Sequence, residues 1–210
     1  MGDPSITNSS NRLAPSYEYP EPTPDGPYRV LEQYHSKPRK MRVAGVGAGA
    51  SGLCLAYKME KMLEQGSWEL TLFEKNKQFG GTWWENTYPG VACDIPSHLY
   101  TFTFDPNPNW SHYYASGAEI QKYFEDFADR YGVHKYIKLN TKVIGARWSD
   151  EEAVWHLTLE DQVTKEQWQD WAHVLVNGTG EILQSLRRLS SAHPHRHSKH
   201  LAMARHRRSP

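Results

Sequence analysis

The sequence predicts an α/β fold built on a strand, turn, helix, strand unit, and three observations indicate it. Residues 41–46, MRVAGV, form a short apolar run typical of a buried strand. A glycine-rich turn, GAGASG at residues 47–52, follows and opens a segment with helical apolar spacing. Residues 68–75, WELTLFEK, then form a second strand that ends in an acid. This order predicts parallel strands joined by a crossover helix.

The glycine turn predicts a dinucleotide site. Gly47 permits a tight turn, Gly49 lets backbone N–H groups approach a pyrophosphate, and Gly52 lets the helix pack closely on the strand. Glu74 lies 22 residues beyond Gly52, where its carboxylate can accept hydrogen bonds from ribose hydroxyls. An acid at this position favours FAD or NAD over NADP. A structural glycine turn without a ligand is the alternative.

The segment at residues 79–100, FGGTWWENTYPGVACDIPSHLY, favours FAD. Long ordered loops in compact domains tend to be functional. The segment combines flexible backbone, a hydroxyl, flat apolar rings and one charge in Gly80, Gly81, Thr82, Trp83, Trp84 and Asp94. A large planar ring system with polar edges fits this set. Packing of the tryptophans in the core and a turn role for Asp94 are the alternatives.

The rest of the predicted domain, residues 41–180, surrounds this unit. Residues 116–133, SGAEIQKYFEDFADRYGV, predict an amphipathic helix capped by Ser116. Residues 138–160 predict a small antiparallel meander, and WAHVLVNGTG at 171–180 predicts a further strand.

The two ends of the chain differ from this domain in composition. Residues 1–40 are rich in Pro, Ser, Asn and Tyr and predict an extended arm. Residues 181–210, rich in His, Arg and Ser, predict a disordered tail with seven Lys or Arg and one acid. Because the rest of the chain is mildly acidic, nucleic-acid binding is not predicted. The tail histidines have no carboxylate or thiolate partner nearby, and no metal site is predicted.

Composition narrows the class further. Two cysteines cannot make a disulfide framework, and no apolar run reaches the roughly 18 residues of a membrane span. The first residues, MGDPSITNSSNRL, lack the basic and apolar regions of a secretory signal. These features predict a cytoplasmic protein.

The stretch FEKNKQFGGTWWENTYPGVACDIPSHLYTFTFDPNPNW resembles the flavin-adjacent part of the Baeyer–Villiger branch of the flavin-containing monooxygenases, especially the fungal members. The shared pattern is Gly-Gly-Thr-Trp, Tyr-Pro-Gly, Cys-Asp and a following Tyr. The similarity covers residues of about 30–180 and ends at NGTG, residues 177–180, where Gly178 replaces the usual alanine. The resemblance implies an FAD-binding domain of the flavoprotein type that contains two dinucleotide-binding domains.

The resemblance also implies a set of FAD contacts. It places the pyrophosphate at Gly47, Gly49, Ala50, Ser51 and Gly52, the ribose at Glu74 and the adenine side near Val143. It places Gly81, Thr82, Trp83, Trp84, Asp94, Ile95 and Tyr100 around the flavin. Catalytic residues are not identified, although Asp94 is a candidate for support beside the flavin. An Ala at 92, where relatives carry Arg, puts a nicotinamide contact there in doubt.

The implied activity is that of a monooxygenase that uses FAD, NADPH and O2 on a small organic substrate. Ketones of the polyketide or terpenoid class, in fungal secondary metabolism, are the expected substrates. No second GxGxxG follows Gly180, so the expectation is a truncated chain without the NADPH domain, whose own catalysis is open. A non-catalytic FAD-binding module and a small flavin-dependent reductase or oxidase are the alternatives.

Overall fold

The computed structural model describes residues 39–180. The strands are β1 (Met41–Val46), β2 (Trp68–Phe73), β3 (Ile137–Lys138), β4 (Thr141–Ser149), β5 (Val154–Asp161), β6 (Gln167–Ala172) and β7 (Val174–Asn177). The α-helices are α1 (Ala50–Met62), α2 (Thr82–Glu85) and α3 (Gly117–Tyr131). The predicted arm, apart from its last two residues, and the predicted tail lie outside the described residues.

Four strands form a parallel sheet in the order β3, β2, β1, β7. Strand β1 pairs with β2 from Met41 opposite Trp68 to Val46 opposite Phe73, and helix α1 connects the two. On its other side β1 pairs with β7, which follows much later in the chain. The predicted strand, helix, strand unit is confirmed.

Helix α1 packs one apolar face against the sheet. Leu53 and Ala56 are fully buried, and Met59 is nearly so. The helix ends at Met62, so Leu63 lies beyond the helix and is 47% exposed. Gly66 adopts φ +90° in the turn that leads to β2.

Helix α3 covers the same side of the sheet. The hydroxyl of Ser116 accepts a hydrogen bond from the Glu119 N–H, which confirms the predicted cap. Ile120, Phe124 and Phe127 are buried in one core cluster with residues of α1 and β2. The apolar period of this segment therefore identified both the helix and its packed face.

The antiparallel sheet has the order β4, β5, β6 and packs on the other side of the parallel sheet, around Val143, Leu157 and Leu159. It extends beyond the predicted meander, because β6 adds a third strand. The strand predicted over residues 171–180 is divided: Ala172 ends β6 and Val174 begins β7 in the other sheet. The chain changes sheets at His173.

Within residues 39–180, no helix has the length and apolar character needed to cross a membrane. The same residues contain no group of three or more His, Cys, Asp or Glu side chains placed to hold a metal ion.

Candidate functional site

A cavity of about 330 Å³ lies at the carboxyl ends of β1, β2 and β7, which is where open parallel sheets bind ligands. Its lining comes from five separate segments of the chain. The lining residues are Val46, Gly47, Gly49, Ala50, Ser51, Phe73, Glu74, Lys75, Gly80, Gly81, Thr82, Trp83, Thr141, Lys142, Val143, Gly178, Thr179 and Gly180.

The first glycine turn, residues 47–52, needs glycine for steric reasons. Gly47 has φ +96°, and a Cβ atom on it would lie 2.8 Å from the carbonyl oxygen of Gly178. A Cβ atom on Gly52 would lie 2.3 Å from the carbonyl oxygen of Gly47. Gly52 is buried behind the turn and is not part of the lining, so it serves the close packing of α1 on the sheet.

The amino-terminal end of α1 faces the cavity. Gly49 is its N-cap residue and makes no side-chain capping hydrogen bond, and the first turn carries no acidic residue. Ala50 and Ser51, the first two helical residues, line the cavity. The N–H groups of this first turn have no partner within the helix, and the helix dipole adds positive potential. This end of the cavity favours an anion.

A second glycine turn, Gly80 and Gly81, closes over the first. The two residues have φ +122° and +60°, and the Gly80 N–H donates to the Ala48 carbonyl over 3.1 Å. A Cβ atom on Gly81 would lie 3.1 Å from the Cα atom of Gly49. The two turns therefore meet backbone to backbone, and residues of both turns line the cavity.

Helix α2 brings two predicted residues into the cavity. Thr82 and Trp83 belong to the lining, whereas Trp84 does not. The ring of Trp83 packs edge-on against that of Tyr100, with 5.0 Å between centroids. Trp84 is partly buried, and its ring lies 5.8 Å from the Lys77 ammonium.

Glu74 is a carboxylate that is 3% exposed at the carboxyl end of β2. Its Oε2 accepts a hydrogen bond from the Ala48 N–H over 2.9 Å, which ties it to the first glycine turn. Its Oε1 accepts from the backbone N–H of Asn76 over 3.0 Å and from the side-chain Nδ2 over 2.9 Å. Glu74 lines the cavity, so the protein fixes the orientation of an acid that also faces the ligand space.

Asp94, Ile95 and Tyr100 lie outside the cavity lining. The Tyr100 hydroxyl donates to Asp94 Oδ1 over 2.7 Å. This hydrogen bond, followed by one from the backbone, lowers the pKa of Asp94, and it is the main cause that raises the pKa of Tyr100 to about 12. Tyr100 and Asp94 are therefore connected to the cavity through the contact between Tyr100 and Trp83.

Several lining residues were not among the predicted contacts: Val46, Phe73, Lys75, Thr141, Lys142, Gly178, Thr179 and Gly180. Most of them flank a strand end or a predicted contact. The rule that ligands bind at the carboxyl ends of parallel strands would have indicated Val46 and Phe73. Gly178 to Gly180 needed knowledge that β7 lies beside β1, which the sequence did not show.

Comparison with known proteins identifies a matching family model and several relatives of this chain. Residues 46–116 match the family model of an NAD(P)-binding Rossmann-like domain. The chain is 46% identical over 147 residues to the FAD-binding monooxygenase tazF of Aspergillus terreus, which covers 70% of this chain and 26% of that protein. It is 34% identical over 152 residues to a Baeyer–Villiger monooxygenase of Streptomyces coelicolor, covering 72% and 27%.

A solved structure is also similar to this chain. An open crystal structure of cyclohexanone monooxygenase matches with a TM-score of 0.57 and 32% identity, covering 68% of this chain and 27% of that one. The chain spans about a quarter of the length of the relatives that it matches. Over this shared part the chain is similar to FAD-binding monooxygenases, including those of the Baeyer–Villiger type, and the family-model match at residues 46–116 includes both glycine turns.

Proposed function

We propose that the cavity binds FAD without a covalent link. The observation that carries this proposal is the meeting of two glycine turns at the uncapped amino end of α1, beside a buried carboxylate. The two glycine turns and the helix end suit a pyrophosphate that approaches backbone N–H groups closely. The relatives named FAD-binding monooxygenases support FAD as the dinucleotide.

The lining residues suggest the orientation of the cofactor. The pyrophosphate lies at Gly47, Gly49, Ala50 and Ser51, beside Gly81. The adenosine ribose then lies at Glu74, whose Oε2 keeps acceptor capacity beyond its one bond to Ala48. Val143 flanks the adenine, because it lines the same cavity as Glu74, which directly follows β2.

The flavin end of the site is formed by Thr82 and Trp83. Tyr100 and Asp94 act from outside the lining, because Tyr100 supports the Trp83 ring and is itself bound to Asp94. Gly52, Trp84 and Ile95 complete the predicted set from outside the lining: Gly52 is buried, Trp84 is partly buried and Ile95 is exposed. FAD, when bound, supplies the redox centre that takes electrons from NADPH and passes them to O2.

We further propose that this domain serves a monooxygenase that uses NADPH and O2 to oxygenate a small organic substrate. Ketones of the polyketide or terpenoid class are the proposed substrates, in fungal secondary metabolism. The support is the 46% identity to a fungal FAD-binding monooxygenase and the likeness to cyclohexanone monooxygenase. A cytoplasmic location remains part of the same prediction.

An absorbance titration tests FAD binding. The purified chain is mixed with FAD, passed through a desalting column, and examined for a visible flavin band with the fine structure of a bound ring. Quenching of the intrinsic tryptophan fluorescence gives the dissociation constant in the same samples. We expect retained flavin at close to one per chain.

Two variants make this titration specific. In Gly49→Val the added side chain points toward the Gly81 backbone, so FAD retention should be lost. In Gly145→Ala the added Cβ has ordinary contacts of 3.7 Å with Thr158, so retention should be unchanged. A folded wild-type chain that retains no FAD would contradict the proposal.

A further inference from the structure

Asn76 lies between the two ends of the proposed FAD site but does not itself line the cavity. It follows β2 by three residues, in the connection between Glu74 and the second glycine turn. Its Nδ2 group donates to Glu74 Oε1 over 2.9 Å and to Glu85 Oε1 over 2.7 Å. One amide therefore bridges two carboxylates that would otherwise repel each other.

The first of these carboxylates belongs to the ribose end. Glu74 Oε1 receives both the backbone N–H and the Nδ2 of Asn76, and Oε2 receives the Ala48 N–H. Without the amide, Oε1 would lose one of the two donors that hold it in this orientation. Asn76 thus sets the orientation of this carboxylate.

The second carboxylate belongs to the flavin end. Glu85 is the last residue of α2, a single turn whose first two residues, Thr82 and Trp83, line the cavity. The Lys75 ammonium also binds Glu85 Oε1 over 2.8 Å, and the Glu85 N–H donates to the Gly81 carbonyl over 3.1 Å. The contacts that fix Glu85 therefore also fix α2, the single helical turn that it ends.

Asn76 is itself anchored in the sheet. Its carbonyl accepts the Asn140 N–H over 2.9 Å, just before β4, and the Glu74 carbonyl accepts the Thr141 N–H over 2.8 Å. The side chain is consequently presented from a fixed backbone. A rigid donor with two hydrogens, each used by a different carboxylate, can relate the positions of both acceptors.

We propose that Asn76 is a positioning residue that couples the ribose end of the site to its flavin end through Glu74 and Glu85. This inference rests on the proposed binding of FAD. It predicts that Asn76 affects a ligand that occupies both ends more than a ligand that occupies the ribose end alone. ADP is the natural short ligand, since it carries the adenosine ribose and the two phosphates but no flavin.

The test compares FAD and ADP binding to Asn76→Ala and Glu85→Ala in the full chain. We expect Asn76→Ala to weaken FAD binding about tenfold, the size of one lost hydrogen bond to a charged group, and to weaken ADP binding less. Glu85→Ala should weaken FAD binding and leave ADP binding unchanged. The two FAD effects should be less than additive in the double variant, because they interrupt one connection.

Controls separate this role from general destabilisation. Asn109→Ala removes an exposed asparagine far from the cavity and should bind both ligands as the wild type does. Asn76→Ser keeps a single donor hydrogen, so it should retain ADP binding and recover only part of the FAD binding. The Asn76→Ser result also gives a readout where the alanine variant is too unstable to purify.

The outcomes are distinct. Equal losses for FAD and ADP, or strictly additive FAD effects, would overturn the coupling role while leaving FAD binding in place. Unchanged FAD binding in Asn76→Ala would overturn it as well. A folded wild-type chain that binds neither ligand would overturn the proposed function, and this inference with it.

Discussion

A Cβ atom on Gly81 would lie 3.1 Å from the Cα atom of Gly49, so the two glycine turns touch through their backbones. A side chain on Gly81 would make this contact tighter than ordinary van der Waals distance, whereas a Cβ atom on Gly49 would lie at an ordinary 3.4 Å from the Cα atom of Gly81. The proposed pyrophosphate lies beside this contact.

Replacing Gly81 with alanine should therefore weaken FAD binding by at least about tenfold. The methyl group must displace the Gly49 backbone, and φ +60° with ψ −124° is strained for an L-residue. Gly66→Ala is the matched control, since it has φ +90° but no atom within 4 Å of the new Cβ. That control should lose stability yet keep its FAD affinity; a similar affinity in both variants would contradict the prediction.

Glu74→Gln should destabilise the chain even without cofactor. The carboxylate accepts three hydrogen bonds, and an amide must present its NH2 group to at least one of those donors. We expect a loss of about 1–3 kcal/mol in the free energy of unfolding, measured in urea. Glu64→Gln, an exposed position, should unfold as the wild type does. Equal stability of the two variants would show that the buried acid is not structurally required.

Stability should fall in mild acid because of His173. Its Nδ1 accepts the Arg42 N–H over 2.9 Å, which requires the neutral form at that nitrogen. Burial, and then the positive charges of Arg39 and Arg42, lower the pKa of His173 below 6.5, while Asp170 binds Arg42 nearby. The unfolded chain thus takes up this proton first, so the contribution is complete above pH 6.5 and is lost as the pH falls through the lowered pKa.

Urea unfolding between pH 7.5 and 5 measures this effect, and His173→Asn isolates it. Asn can supply an oxygen in place of Nδ1 but does not titrate, so the difference in unfolding free energy between wild type and variant should change with pH. A constant difference over this range would exclude His173 as the source.

Tyr100→Phe should raise the pKa of Asp94 toward its ordinary value of 3.8, because the hydroxyl is the largest cause of the lowered value. The phenyl ring keeps the edge-on contact with Trp83, so the change is confined to the hydrogen bond. An NMR titration of the Asp94 carboxyl in both proteins measures the shift. Identical titration curves would mean that the two side chains are not bonded in solution.

The sequence predicted those parts of the site that depend on local backbone geometry. Gly47, Gly49 and Glu74 lie in the cavity wall, because spacing along one strand, turn, helix, strand unit fixes their positions. Gly81 and Thr82 also lie there, as the composition and the resemblance of their segment implied. The cap at Ser116 was predictable for the same reason, since its hydrogen bond spans three residues.

Contacts between separate elements were not predictable in this way. Asn76, in the connection after β2, binds Glu85 at the end of α2, and β7 enters the parallel sheet although WAHVLVNGTG reads as one continuous strand. The division at His173 depends on its bonds to Arg42, 131 residues earlier in the chain. Apolar periodicity carries no information about such partners.

Strand β7 is the last strand of the described chain but pairs with β1, the first, so its position sets the order in which the cavity can form. Strand β1 is synthesised early, but Gly178 can contact Gly47 only after most of the described chain has been made. Contacts between residues so far apart in the sequence form slowly, because closing the intervening loop costs conformational entropy before the contacts can stabilise the fold. Cofactor capture would then occur late, so that a chain arrested before residue 178 leaves one wall of the cavity open to water.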